Sequence, residues 1–314
     1  MNKNLIINDI SLSSVLSRKY DYGFFFSGYE ERCLHLSTLL NTGTIKEKII
    51  IQQPIKSDRD TTENFDELSE TIGEHELLSF KDFKSLHFAL AVAKTLKSLS
   101  NKASILIDYT SMPRQVYCDI INVVRTIKKP EQEISLTFFY AHGRHESSYK
   151  PAIIGDIYCL RGCEASISSF DRTIAVVGLG FDDGAPLRIL ESVEPNEVFC
   201  LYAYPAAIDG YEKVAIDKNE SIITFSATSE RKIIPSPLSS IADTYSTLYE
   251  LVSPYLSNTN ITLLPFGPKP HVLASILLSM SHKRVSCMYA DSLRSTPSSV
   301  PATGEVTCTL ITLK

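Results

Sequence analysis

Apolar residues along the chain gather in short unbroken runs rather than in strict alternation. Phe24-Phe25-Phe26, Ile49-Ile50-Ile51, Ile105-Leu106-Ile107 and Ile174-Ala175-Val176-Val177 are the clearest. Consecutive apolar positions suit strands covered on both faces. Such runs predict strands over 22–28, 48–51, 103–108 and 134–140, and again over 174–180, 197–202, 260–264 and 285–289. Helix-like stretches lie between them, over 33–40, 115–128, 186–192 and 271–281. A further helix is expected over 82–99, where Phe83, Leu86, Leu90, Val92, Ala93, Leu96 and Leu99 recur at steps of three or four among lysines. Alternation of β and α elements implies a mainly parallel, Rossmann-like sheet. Runs at 155–163 and 304–314 follow the two α/β cores and are expected to add antiparallel edges or a hairpin. The acidic segment 58–76 reads as a solvated loop and helix face. Residues 213–237 read as irregular, with a short hairpin around Ile222–Phe225.

The pattern occurs twice. Gly28-Tyr29-Glu30-Glu31 and Gly180-Phe181-Asp182-Asp183 each close an apolar strand with glycine, an aromatic residue and two acids. Pro113-Arg114 and Pro268-Lys269 each open a helix after a later strand. Tyr140-Ala141 stands fifteen residues before Gly155-Asp156-Ile157-Tyr158-Cys159, and Tyr289-Ala290 the same distance before Gly304-Glu305-Val306-Thr307-Cys308. The reading is an α/β protein of two tandem Rossmann-like units related by internal duplication, one over 1–167 and the other over 168–314, joined near 166–172.

Composition narrows the function classes. The chain has 314 residues, enough for two cores, and a formal net charge of −5. That balance argues against sequence-specific duplex DNA and against an anionic membrane as partner, since both need many cations on phosphates. No apolar run approaches the roughly 20 residues of a membrane helix. The start, Met1-Asn2-Lys3-Asn4-Leu5-Ile6, carries no long apolar core, and the seven cysteines are scattered. A reduced, cytoplasmic protein is therefore expected. Cys159 and Cys163 are the only close pair and lack a second cluster, so neither a metal site nor a bound cofactor is expected.

Ligands of open parallel sheets bind beyond the carboxyl ends of the strands. Two loops per unit fall there. In the first, Gly28, Tyr29 and Gly180 with Asp182 form turns where glycine permits a sharp bend or close approach to a ligand. Glu30, Glu31 and Arg32 read either as helix-start acids with a local salt bridge or as acid–base machinery. In the second, Thr110 and Ser111 offer a hydroxyl cap, Pro113 a preset first turn, and Arg114 a cation at the helix start. Cations are unfavourable at the positive end of a helix dipole, so Arg114 and Lys269 point to an anion held there. Asp108 would orient the loop or hold a ribose hydroxyl. His271 is either an anion donor or a surface histidine. His142, with His145 and Glu146, closes the last strand of the first unit as a ligand-lining loop. Cys33 beside Arg32 is either a buried thiol or an activated one. No GxGxxG, P-loop or GxSxG motif occurs.

The turn Asp108-Tyr109-Thr110-Ser111-Met112-Pro113-Arg114, leading from strand to helix, resembles the strand-four turn of CARF domains, Rossmann-like sensors of cyclic oligonucleotides in prokaryotic defence. Two such units fused in one chain are similar to SAVED domains. The resemblance covers both halves in topology and this one turn in motif. The chain has Ser111-Met112-Pro113-Arg114 in place of the family's Gly-Gly-Thr-Lys, and Phe266-Gly267-Pro268-Lys269 departs further.

Three functions follow as expectations. The first is a sensor of a nucleotide or other phosphate-bearing small molecule, bound in a groove between the units and acting with a separate effector protein in antiviral defence. The second is a nucleotide-processing hydrolase using Glu30, Glu31, Arg32 and His142, which only the first unit carries. The third is a scaffold subunit whose acidic segment docks a basic partner.

Overall fold

The computed structural model describes residues 5–53, 59–144, 153–166, 172–181, 184–226, 232–293 and 300–314. The chain forms two compact units, each an α/β sheet with helices between its strands.

In chain order the first unit holds β1 (Leu5–Asp9), α1 (Leu12–Ser17), β2 (Tyr20–Ser27), α2 (His35–Leu39), β3 (Ile45–Gln52), α3 (Arg59–Ile72), β4 (Glu76–Ser79), α4 (Leu86–Thr95), β5 (Ser104–Asp108), α5 (Arg114–Ile127) and β6 (Ile134–Gly143). The second holds β7 (Ile153–Cys159), β8 (Arg172–Gly178), α6 (Gly184–Val193), β9 (Glu197–Ala203), α7 (Tyr211–Lys218), α8 (Glu220–Ser226), β10 (Ile233–Ser236), α9 (Ile241–Val252), β11 (Thr259–Pro265), α10 (Lys269–Ser281) and β12 (Val285–Leu293). The last strand, β13 (Ala302–Leu313), returns to the first sheet.

Strand order in the first sheet is β1-β13-β6-β5-β2-β3-β4, and in the second β7-β12-β11-β8-β9-β10. The five parallel strands β4-β3-β2-β5-β6 therefore repeat as β10-β9-β8-β11-β12, each set flanked by one antiparallel strand. The register repeats as well. Tyr140 pairs with Thr307 and Tyr289 with Tyr158, so the partners shift by the same 149 positions (289 less 140, and 307 less 158). Phe139 with Cys308 and Met288 with Cys159 keep the same shift. The fifteen-residue spacing seen in the sequence is this shared register.

The flanking strands correct the expected boundary. In place of a single join at 167/168, the first unit is residues 1–145 plus 297–314 and the second is 146–296. The reason is pairing: β7, which follows the first core, hydrogen-bonds to β12, and β13 inserts between β1 and β6.

Phe24, Phe25, Ile49, Ile50, Ile105 and Leu106 are fully buried, as a sheet covered on both faces requires. One face of the first sheet packs Phe25, Ile50 and Leu106 against Leu36, Leu68 and Ile72. Phe26, Phe83 and Phe88 form a ring cluster, with centroids 6.0 and 5.2 Å apart. The second sheet packs Val177, Cys200 and Leu264 against Ile189, Leu190 and Ile222.

The acidic segment is largely the helix α3, which turns Glu63, Asp66, Glu67 and Glu70 to solvent, as expected, and buries Thr61, Asn64, Leu68 and Ile72 at helical spacing. Two expectations change here. The helix expected over 82–99 is the shorter α4; Phe88, Val92 and Leu96 face inward while Leu86 and Leu90 are 61% and 63% exposed. No hairpin forms around Ile222, which lies on α8 and is fully buried. Among the described residues no helix is long and apolar enough to cross a membrane.

Candidate functional site

The carboxyl ends of β2, β5 and β6 bring most of the first unit's candidates together. Strand order diverges between β2 and β5, the position where open α/β sheets offer a crevice. In this unit the two loops at that point touch. A Cβ on Gly28 would stand 3.0 Å from Ser111 Cβ, and Ser111 Oγ donates to the Phe26 carbonyl oxygen at 3.2 Å. Gly28 has no positive φ, so its missing side chain serves this close approach rather than a strained bend. The second unit repeats the contact: a Cβ on Gly180 would overlap the Phe266 carbonyl, and one on Gly267 would stand 3.2 Å from the Leu179 oxygen.

Sequence reasoning missed the residues that fasten these loops. Asn64, on α3, donates to the Gly28 carbonyl oxygen at 2.8 Å. Asn219, between α7 and α8, donates to the Gly180 carbonyl oxygen at 2.7 Å. Both units thus pin the glycine after their first parallel strand with an asparagine from the same crossover. The available signal was an amide amid acids in 58–76 and a matching amide in 213–237, visible only once both segments are helical.

Glu30 and Arg32 form a buried ion pair at 2.6 Å. Arg32 Nη1 also donates to Tyr140 Oη at 3.1 Å and the Ala141 carbonyl oxygen at 2.9 Å, with the guanidinium 5.4 Å from the Tyr140 ring. Burial works against the Arg32 charge, but Tyr140 and Glu30 outweigh it and hold the pKa above its ordinary value. This is the local salt bridge among the readings of the sequence, carried into the interior. Glu31 points outward. Burial pushes the Cys33 thiol up to about 12, the opposite of an activated nucleophile.

His142 is buried at the end of β6. Its Nε2 lies 2.7 Å from Thr307 Oγ1 of β13, and its Nδ1 has no hydrogen-bond partner. Burial first, then the charge of Arg32, lower its pKa to about 4, so the ring is neutral near pH 7. His145 and Glu146 lie outside the described residues, as does Asp182.

In the second loop, the helix begins differently from the expectation. Pro113 is the N-cap of α5, without a side-chain cap bond, and Arg114 is the first helical residue. The Thr110 hydroxyl accepts from the Ala141 backbone N–H at 3.0 Å and ties the end of β5 to β6. Asp108 Oδ1 accepts from the Thr110 N–H at 3.1 Å, the loop-orienting role. The second unit copies the arrangement with Pro268 as N-cap of α10 and Lys269 first. Arg114, Lys269 and Tyr29 are half-buried. His271, by contrast, is no surface histidine: it is 1% exposed, with Nε2 3.3 Å from the Pro237 carbonyl oxygen, and burial lowers its pKa to about 4.

Among the described residues no group of three or more His, Cys, Asp or Glu side chains could hold a metal ion. All seven cysteines are free thiols. Chemically, Glu30 and Arg32 pair with each other, and each unit places a half-buried cation in the first turn of a helix.

No family model matches the chain, and no curated protein matches it. Among solved structures, the cytoplasmic domain of a prokaryotic cation chloride cotransporter aligns at 10% identity over 87% of this chain and 95% of that one, with a TM-score of 0.25. A functionally unknown protein from Pseudomonas aeruginosa aligns at 7% identity over 86% and 92%, also at 0.25. Phosphoethanolamine N-methyltransferase 1 of Haemonchus contortus, in complex with phosphoethanolamine and S-adenosylhomocysteine, aligns at 8% identity over 86% and 74%, again at 0.25.

Proposed function

We propose that this protein is a cytoplasmic sensor that binds a nucleotide or another phosphate-bearing small molecule, in the manner of CARF and SAVED domains, and acts with a separate effector protein in antiviral defence. One observation supports the reading above others. Arg114 and Lys269 each stand as the first residue of a proline-capped helix at the carboxyl edge of a parallel sheet. A cation there is unfavourable to the helix dipole, and it is placed to hold a bound anion together with the backbone N–H groups of the first turn. The Glu30–Arg32 pair, closed on itself and on Tyr140, weighs against the hydrolase reading, because a general acid or base must be able to exchange its proton with substrate.

The test is titration calorimetry of the full chain with mononucleotides, inorganic pyrophosphate and cyclic oligonucleotides. Binding that weakens at least tenfold in Arg114→Ala or Lys269→Ala supports the reading, with salt dependence as a second mark. Heat from none of these ligands, or binding indifferent to both substitutions, sinks it.

A further inference from the structure

The second unit is one continuous stretch, whereas the first is split around it. The point of insertion is the connection between β6 and β13, antiparallel neighbours that pair from Ile134 with Leu313 out to Gly143 with Ala302. The second unit is built to fit such a place. Its first strand, β7, pairs with its last, β12, and Ile153 faces Leu293. Its two ends are therefore antiparallel partners, roughly 5 Å apart.

We infer that the second unit works as a folded clasp that closes the first, so that the stability of each unit is coupled to that of the other through the β6–β13 connection. The physical basis is loop entropy. With the second unit unfolded, pairing Gly143 with Ala302 closes a loop of roughly 160 residues; with it folded, the Ile153–Leu293 pairing leaves a loop of roughly 17. A closing probability that falls as the three-halves power of length makes the difference about thirtyfold. Linkage makes the coupling reciprocal. The strand that this closure seats is the one that reaches the candidate site. Thr307 of β13 holds His142 Nε2, Thr303 Oγ1 donates to the His142 carbonyl oxygen at 3.4 Å, and the Arg144 N–H donates to the Pro301 carbonyl oxygen at 2.9 Å. A molecule that stabilises the second unit therefore also tightens the end of β6 in the first.

Amide hydrogen exchange of the full chain tests this with two variants. In the first, about 40 flexible Gly and Ser residues inserted between Ser147 and Ser148 lengthen the closing loop while leaving both cores intact; β6 and β13 are expected to exchange about sixfold faster. In the second, Leu263→Asp disrupts the core of the second unit, where Leu263 is 1% exposed. Exchange in β6 and β13 is then expected to rise about thirtyfold. Unchanged exchange of β6 and β13 in either variant overturns the proposal, and the insertion variant gives that answer even where Leu263→Asp aggregates.

Discussion

Asn64 reaches from α3 to the carbonyl oxygen of Gly28, 2.8 Å away, and so fixes the loop in which Glu30 and Arg32 begin. Its counterpart Asn219 makes two such bonds, to Gly180 and to Ala215, both at 2.7 Å, from a fully buried position. Asn64→Ala leaves the Gly28 carbonyl with only the weak Cys33 Sγ donor at 3.9 Å and is expected to cost about 1–3 kcal/mol, with Asn219→Ala at the upper end. Chemical denaturation of each variant checks both; a change below about 0.5 kcal/mol would mean that the loop is held by other contacts.

The glycines beside these asparagines separate two kinds of tightness. At Gly28 an added methyl stands 3.0 Å from Ser111 Cβ, a contact relieved by a shift of a few tenths of an ångström, and the smaller entropy of the unfolded alanine chain offsets the strain. Gly28→Ala is thus expected to lie within about 1 kcal/mol of the parent. At Gly180 the methyl meets the backbone carbonyl of Phe266, which can shift only with its whole loop. Gly180→Ala is expected to cost about 1–3 kcal/mol, seen as a lowered melting temperature. The reverse ranking would contradict the packing described.

The ion pair at Glu30 and Arg32 carries an asymmetric prediction. Arg32→Ala leaves Glu30 buried without its partner, an effect of about 3–5 kcal/mol. Removing Glu30 as well recovers part of that loss, because the uncompensated charge disappears with it. A double-mutant cycle measures the recovery, and strictly additive losses would show that the two charges do not interact.

Acid sensitivity follows from two histidines. His142 and His271 both titrate near 4 in the folded chain, against an ordinary 6.5, through burial and, for His142, the adjacent Arg32 charge. Between those values the unfolded chain binds protons that the folded chain does not, so stability falls as pH drops from 6.5 towards 4. Above 6.5 these two groups contribute no pH dependence. Each is worth on the order of 3 kcal/mol by pH 4. Carboxylates also titrate in this window, so the measurement is the difference between the parent and His142→Gln or His271→Gln, followed by denaturant midpoints from pH 7.5 to 4. Parallel curves would rule out the buried neutral state.

Much of the architecture could be read from residue order because the central parallel strands carry buried apolar side chains at successive positions. The edge strands could not. Glu76-Leu77-Leu78-Ser79 and Ile233-Ile234-Pro235-Ser236 are four-residue strands with only one buried side chain each, so neither leaves a long apolar run. Ile222-Ile223 looked like strand material although Ile222 is a core contact of a short helix. Pairing of β13 with β6 was hidden for another reason: sequence order says nothing about which of two similar cores receives a trailing strand. At the candidate site, the helix-leading cations were visible from proline and charge alone. The burial of His271 and the loop contacts at Gly28 and Gly180 were not, since both depend on what the neighbouring loop brings.

Placing β13 between β1 and β6 also sets a timetable during translation. Every other strand of its sheet has been synthesised by residue 143, yet the place between β1 and β6 waits while about 160 further residues are made, roughly ten to thirty seconds at ordinary elongation rates. For that interval the newborn sheet presents two open edges, one of them Phe138-Phe139-Tyr140, where chaperones or stray strands have their best opportunity.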